Sequence, residues 1–339
     1  MKKIYAIILL LFVSIDCKPQ KIAMDKLQER NGVFYLLNTD EKFNGISTEY
    51  YANGQLKYEI NYKEGKHHGV GKWYYENGQL KAEVNSKEGQ LYKIGKEYHE
   101  NGKLKIKINF QEGKPQGSSI EYYDNGKLKA ERNYKDGARQ GISKEYYRNG
   151  KLKTEVNYKD GARHGVSKEY YDNKQLESEE NYKDGERHGV SKKYYTNGQL
   201  ESEENYIDGK EIGNCKWYYD NGQLKSEVDY KDGQLHGVFN MYYKNGQLES
   251  EENYINGKRN EIFKRYYDNG QLKAEEHYKD GNRHGSSKEY YDNGQLQFDK
   301  NYRNGELDGV YKEYYKNGKL RFEENYKKDE YHIIPKREY

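Results

Sequence analysis

The sequence has almost no cysteine, almost no net charge, and no glycine-rich phosphate cradle. Two cysteines, Cys17 and Cys215, allow at most one disulfide. Net charge is +3, from 59 Lys and Arg against 56 Asp and Glu. The two signs alternate within short segments, which suits cross-strand pairs on a solvated face and not a phosphate-tracking groove. Nucleic acid is therefore not an expected partner. No Gly-x4-Gly-Lys-Ser/Thr occurs, and the nearest approach to Gly-x-Gly-x-x-Gly, at Gly69-Val70-Gly71, has Tyr74 where the third Gly belongs. EF-hand loops and the Gly-Gly-x-Gly-x-Asp repeat of calcium β-rolls are also missing. Low hydrophobicity with many charges would ordinarily mean disorder. Against that, the net charge is small and the 40 tyrosines are placed periodically.

That period is 24 residues. Asn-Gly recurs at Asn53, Asn77, Asn101, Asn125, Asn149, Asn197, Asn221, Asn245, Asn269, Asn293 and Asn317, and only Asn173-Lys174 breaks the pair. The twelve copies follow one another without insertion or deletion, so the repeat dictates the architecture. Tyr146, Tyr147, Asn149, Gly150, Leu152, Tyr158 and Gly161 mark the structural positions of one unit.

Each unit carries two turn signals, the Asn-Gly after a Tyr-Tyr pair and a second Gly such as Gly161 after Lys-Asp. Both supply positive φ for tight hairpin turns. The segments between them are strand-length and alternate, with Leu152, Thr154, Val156 and Tyr158 on one face and Lys153, Glu155 and Asn157 on the other. The expected fold is all-β, an extended, solenoid-like, single-layer antiparallel sheet of about twelve 24-residue β-hairpin repeats. One hairpin alone is barely stable, so stacking carries the stability. With no second layer in sight, tyrosine rings must do much of the burying, each hydroxyl staying wet.

The pattern Tyr-Tyr-x-Asn-Gly-Gln-Leu-Lys, seen at Tyr218 to Lys225 and again from Tyr290 to Leu296, resembles the MORN repeat in its bacterial variant. The resemblance covers about residues 45–332, and residues 33–44 resemble the lead-in strand of such proteins. The chain is also similar to the YwqK-type antitoxin family of toxin–antitoxin systems. That resemblance implies binding to a protein partner, a toxin among the candidates. Lys93 and Glu261 depart from the pattern at the first Gly, His99 at the second Tyr, Ser86 at the last Tyr and Asp329 at the second-turn Gly.

Along the chain, residues 1–17 read as an export signal. Lys2-Lys3 precedes an apolar run from Ile4 to Val13 that is too short to span a bilayer. Cys17 is the candidate lipidation site, and its use as an anchor or removal with the signal would leave no intrachain disulfide. Asp16 is a poor residue before a lipidated cysteine. Residues 18–44 are expected to be a polar tether and a capping strand at Val33 to Leu37. Residues 45–332 are the repeats, and in the tail, 333–339, Pro335 ends the pairing. The expected location is the cell envelope, lipid-anchored, with the cytoplasm as the alternative.

No residue set breaks the repeat in a way that builds one catalytic site, and catalysis needs asymmetric, preorganised groups. Neither an enzyme nor a cofactor is expected. His68, His164, His188, His236 and His284 share one repeat position, but equivalent atoms in neighbouring units lie roughly 9–10 Å apart, too far for shared zinc ligation. They are read as turn residues, and no metal is expected. Cys215 is read as a small buried side chain. One asymmetry stands out. The residue after each Leu is mostly basic, but becomes acidic at Glu177, Glu201 and Glu249. With Glu179, Glu203 and Glu251 these form a candidate acidic, partner-binding zone that would steer a basic partner. The expected function is a non-catalytic scaffold for protein partners, with a structural or adhesive surface element, or a lipid head-group binder, as alternatives.

Overall fold

The computed structural model describes residues 19–327. The export signal with Cys17, the tail 333–339 and Asp329 lie outside the described residues. Among those residues there is no α-helix, only a 3-10 turn at Met24–Lys26. Thirty-one strands belong to one sheet, in which neighbouring repeat strands pair antiparallel and β1 (Lys21–Ala23) joins in parallel. β1 and the last strand (Leu320–Tyr326) each have a single ladder partner. The strand count exceeds two per repeat because a bulge splits many lead strands, as into Glu186–Arg187 and Gly189–Tyr194.

The chain divides into two compact units at Ala138/Arg139. The first begins with a cap. β1 lies parallel to the first repeat strand, with Lys21 opposite Ile46 and Ala23 opposite Thr48. β2 (Leu27–Arg30) and β3 (Val33–Leu36) form a separate two-stranded hairpin. The strand expected at Val33 to Leu37 is thus present, but it does not extend the repeat sheet; β1 does. The residues ahead of it, expected to be a tether, hold β1, the 3-10 turn and β2. They fold because Ile22, Met24 and Leu27 supply apolar side chains to a cluster with Phe43, Ile60 and Tyr62. Two backbone bonds fasten the hairpin to the first repeat, Phe34 N–H to Gly65 O at 2.8 Å and Phe43 N–H to Phe34 O at 3.0 Å.

The second unit shows the repeat at its most regular. Strand Gly141–Tyr146 pairs with Leu152–Lys159, placing Ser143 opposite Val156 and Glu145 opposite Thr154. Strand Ala162–Tyr170 then pairs with Leu152–Lys159 from the other side, Val156 opposite Ser167. Ser143, Val156 and Ser167 are buried on one face, called the front. The opposite face carries Ile142, Lys144 and Glu155.

The two turns differ. Asp160 and Gly161 both have positive φ, 50° and 88°, the two-residue turn that matches strand twist. At the Asn-Gly turn only Gly150 is left-handed, φ 92°. Tyr147 N–H bonds Lys151 O across a three-residue loop, and Asn149 instead uses its Oδ1 to accept the Lys151 N–H at 2.9 Å. That is why Asn survives at position 173 while the following Gly has become lysine. Lys174 adopts φ 75°, a conformation costing a side chain about 1–2 kcal/mol.

Candidate functional site

The second tyrosine of each pair points along the array. Tyr147 Oη donates to Tyr170 O, Tyr171 Oη to Tyr194 O and Tyr219 Oη to Tyr242 O, each at 2.8 Å. His99, the one departure at this position, places Nε2 3.0 Å from Tyr122 O and so keeps the link. Each bond satisfies a carbonyl of the next repeat, with a net worth of about 1 kcal/mol. The asparagines run in parallel, Asn197 Nδ2 donating to Asp220 O at 2.8 Å and Asn245 Nδ2 to Asp268 O at 3.0 Å. The result is a row of half-buried rings along one face, fixed at their hydroxyl ends.

Cations stand over these rings. Lys81 Nζ lies 5.5 Å from the Tyr75 centroid, Lys153 5.7 Å from Tyr147, Lys225 5.9 Å from Tyr219, and Lys273 5.3 Å from Tyr267. In several repeats the same basic residue also pairs with a glutamate eight residues earlier. Lys57 meets Glu49 at 2.6 Å, Lys105 meets Glu97 at 2.8 Å, and Lys129 meets Glu121 at 2.6 Å. Glu121 also accepts from Arg132 at 2.8 Å. Burial alone would raise its pKa, but these bonds outweigh it and hold the carboxyl below its ordinary value.

Deeper in the front face of the second unit, glutamate replaces the Ile or Val of other repeats. Glu180 receives Arg187 Nη2 at 2.6 Å and Tyr182 Oη at 2.5 Å. Glu252 receives Arg259 Nε at 2.8 Å, and Glu276 receives Arg283 Nη2 at 2.9 Å. These glutamates were not singled out from the sequence. Their signal was visible there, as an Arg seven residues after each of the three.

The candidate acidic zone is divided between the two faces. Glu179 pairs with Lys168 at 3.1 Å and Glu203 with Lys192 at 3.0 Å, on the back. Glu251 stands opposite Lys264 in the ladder, on the same face. Glu177 and Glu201 instead line a front-face cavity of about 420 Å³. The ladder slips between Glu169 and Tyr170, opposite Ser178 and Leu176, so the bulge at Glu177 breaks the alternation that sequence parity assumed. Glu249 contributes to raising the Tyr243 pKa, after burial. The sequence grouped six glutamates, and the structure brings Glu177 and Glu201 together on the front.

Two of the shared histidines reach the following turn. His188 Nδ1 lies 3.2 Å from Asp208 Oδ1 and His164 Nδ1 3.4 Å from Asp184 Oδ1. Gln140 does the same work at this position, accepting the Asp160 N–H at 2.9 Å. Among the described residues no group of three or more His, Cys, Asp or Glu is arranged to hold a metal ion. Cys215 is fully buried at a position where half of the repeats have serine, and burial raises its thiol pKa.

With the geometry in view, the comparison with protein families is direct. The model described as MORN repeat variant matches at residues 43–64, 68–88, 91–112, 115–136, 139–160, 163–184, 187–208, 211–232, 235–256, 262–280, 283–304 and 307–328. The chain belongs to the MORN repeat variant family. The match that starts at 262 rather than 259 begins just after Glu261, the residue that replaces the bulge glycine at φ 64°. No curated protein matches this MORN repeat chain. Among solved structures it is similar to the TcdB2-TccC3 crystal structure, at 13% identity over 83% of this chain and 18% of that one, with a TM-score of 0.18. It is also similar to a Photorhabdus luminescens Tc holotoxin pore, at 14% identity over 86% and 16% of the two chains, again at 0.18. The MORN repeat chain thus spans less than a fifth of those chains.

Proposed function

We propose that this protein is a non-catalytic scaffold that binds protein partners through its front face. The observation that carries the reading is the tyrosine row. Rings anchored by Tyr171 Oη and Tyr219 Oη to the next repeat are rigid, amphipathic and regularly spaced. Such rings give large contact area at low entropic cost, the property that enriches tyrosine in protein interfaces. Salt-bridged Lys and Glu between them supply a polar surround. An antitoxin-like role is the finer form of the same reading, with a toxin as the partner, and rests on the family resemblance of the sequence.

A photo-crosslinking residue in place of Lys225, on the front, or of Val238, exposed on the back, tests the reading in cells. Crosslinking to one defined protein species from position 225 and not from 238 is expected. Equal yields from both positions, or none from 225, would refute the front-face scaffold.

The proposal includes export and a lipid anchor on Cys17, from the basic start and short apolar run of the signal. Fractionation of cells expressing the full chain or Cys17→Ser is expected to find the first in the membrane fraction and the second released from it. A full-length chain in the cytosol in both cases would remove the envelope from the proposal.

A further inference from the structure

The repeat supplies its own cation to most of its front-face rings, but the residue in that place is acidic at Tyr171, Tyr195 and Tyr243 and is Gln297 at Tyr291. In the preceding repeat and in several others a Lys or Arg stands over the equivalent ring, as Lys153 does at Tyr147, Lys225 at Tyr219 and Arg321 at Tyr315. At Tyr171 that residue is Glu177. Its usual partner, eight residues earlier, is still acidic. Glu169 therefore stands near a carboxylate where Glu97 has Lys105 and Glu121 has Lys129. Glu201, from the next repeat, lines the same cavity. Both Glu177 and Glu201 contribute, after burial, to raising the Tyr171 pKa, so their charge is felt at the ring.

Local cations do not cancel this. Arg187 in the cavity wall is bound to Glu180 at 2.6 Å. Lys193 and Arg163, whose guanidinium donates to the neutral Tyr182 hydroxyl at 3.0 Å, stand against the three carboxylates of Glu169, Glu177 and Glu201. One negative charge is left in excess beside an aromatic face. The ring cannot swing away, because its hydroxyl is tied to Tyr194 O at 2.8 Å. The cavity, about 420 Å³, has room for the end of one long side chain.

We propose that Tyr171, with Glu169, Glu177 and Glu201, receives a basic side chain, a lysine or arginine, presented by a protein partner. The ligand takes the place that the repeat fills internally elsewhere, with its charge over the ring and its N–H groups toward the carboxylates. This deepens the scaffold reading and rests on it, by naming the chemistry of one contact on the front face.

The test uses the full chain and a fluorescein-labelled hexalysine peptide at physiological salt, followed by anisotropy. Glu177→Lys restores the residue most repeats have, so the fold is retained, as circular dichroism will check. It is expected to weaken hexalysine binding by about tenfold or more, since it removes a charge-assisted contact and occupies the ring. Glu169→Gln should weaken it in the same direction without adding a cation. Glu186→Lys makes the same charge change at an exposed turn position and is expected to alter binding by less than about twofold. Equal losses in Glu177→Lys and Glu186→Lys would show a general field and overturn the site, as would no binding by the unaltered chain. Displacement of the peptide by n-butylammonium at the same amine concentration would assign the site to small amines and overturn the protein source. If the species crosslinked from position 225 still binds Glu177→Lys with full affinity, the scaffold stands and this inference falls.

Discussion

Replacing Glu276 with alanine is expected to destabilise the protein by about 3 kcal/mol, the low end of what removing one partner from a buried ion pair costs. Glu276 is 1% exposed. Its Oε1 accepts from Arg283 at 2.9 Å, its Oε2 accepts from Tyr278 Oη at 2.7 Å, and Arg265 lies 3.6 Å away. Alanine removes the acceptor for all three. The low end applies because the side chains of Arg283 and Arg265 are 40% and 42% exposed and can turn to water. Tyr278 has less freedom, since burial is the leading cause of its raised pKa. The double substitution Glu276→Val with Arg283→Leu copies the pair Val228 and Leu235 of an earlier repeat. It is expected to return to within about 1 kcal/mol of the unaltered protein, because an apolar pair needs no compensation for desolvated charge. Urea unfolding of the three proteins decides it. A loss below about 0.5 kcal/mol for Glu276→Ala would mean the network contributes nothing net. Failure of the double variant to recover would mean that the polar network, rather than its volume, is what this face requires.

Sequence and structure agree where geometry is local. The 24-residue period, the strand segments and the two-residue turn at Asp160-Gly161 follow from alternation and from residues that accept positive φ. The reading loses its hold at the bulges. Counting every second residue placed Glu177 with Glu179, but the register slip at Glu169 and Tyr170 sends them to opposite faces. The same slip lets two adjacent tyrosines, Tyr170 and Tyr171, play different parts, one offering a carbonyl and the other a hydroxyl to the neighbouring repeats. No two-residue period can express that. Deeper on the front face, Glu180 and Arg187 were legible as residues but not as a pair. Their seven-residue spacing has meaning only once a two-residue turn folds one strand back on the other.

The cap shows a different limit. Val33 to Leu37 has the composition of a strand and forms one, yet it is the weaker-looking Lys21–Ala23 that covers the first repeat. Edge strands need covering whatever their neighbour's composition. The choice between two candidate covers depends on the apolar cluster beneath, whose members are spread from Ile22 to Trp73. Contacts over that sequence distance leave no periodic trace.

That cluster also sets where the largest apolar loss will fall. Phe43→Ala is expected to cost about 3–5 kcal/mol, the range for deleting a buried aromatic side chain. Phe43 is 1% exposed, and its ring centroid lies 5.5 Å from that of Tyr62. Its backbone is fixed at both ends, N–H to Phe34 O at 3.0 Å and C=O to the Gly65 N–H at 2.9 Å. The ring is closely surrounded, since a Cβ added at Gly45 would run into Gln20 O and the edge of the Phe43 ring. In a repeat array each unit is stabilised mainly by its neighbours, so the damage should stay near the cap. Hydrogen exchange should show the Ile46 amide, which bonds Gln20 O at 2.8 Å, losing protection as β1 lifts away. Amides of Lys114–Tyr122 in the same compact unit should keep theirs. Equal loss at both places would mean that this unit unfolds as one cooperative block, and that the apolar cluster at its start supports every repeat in it.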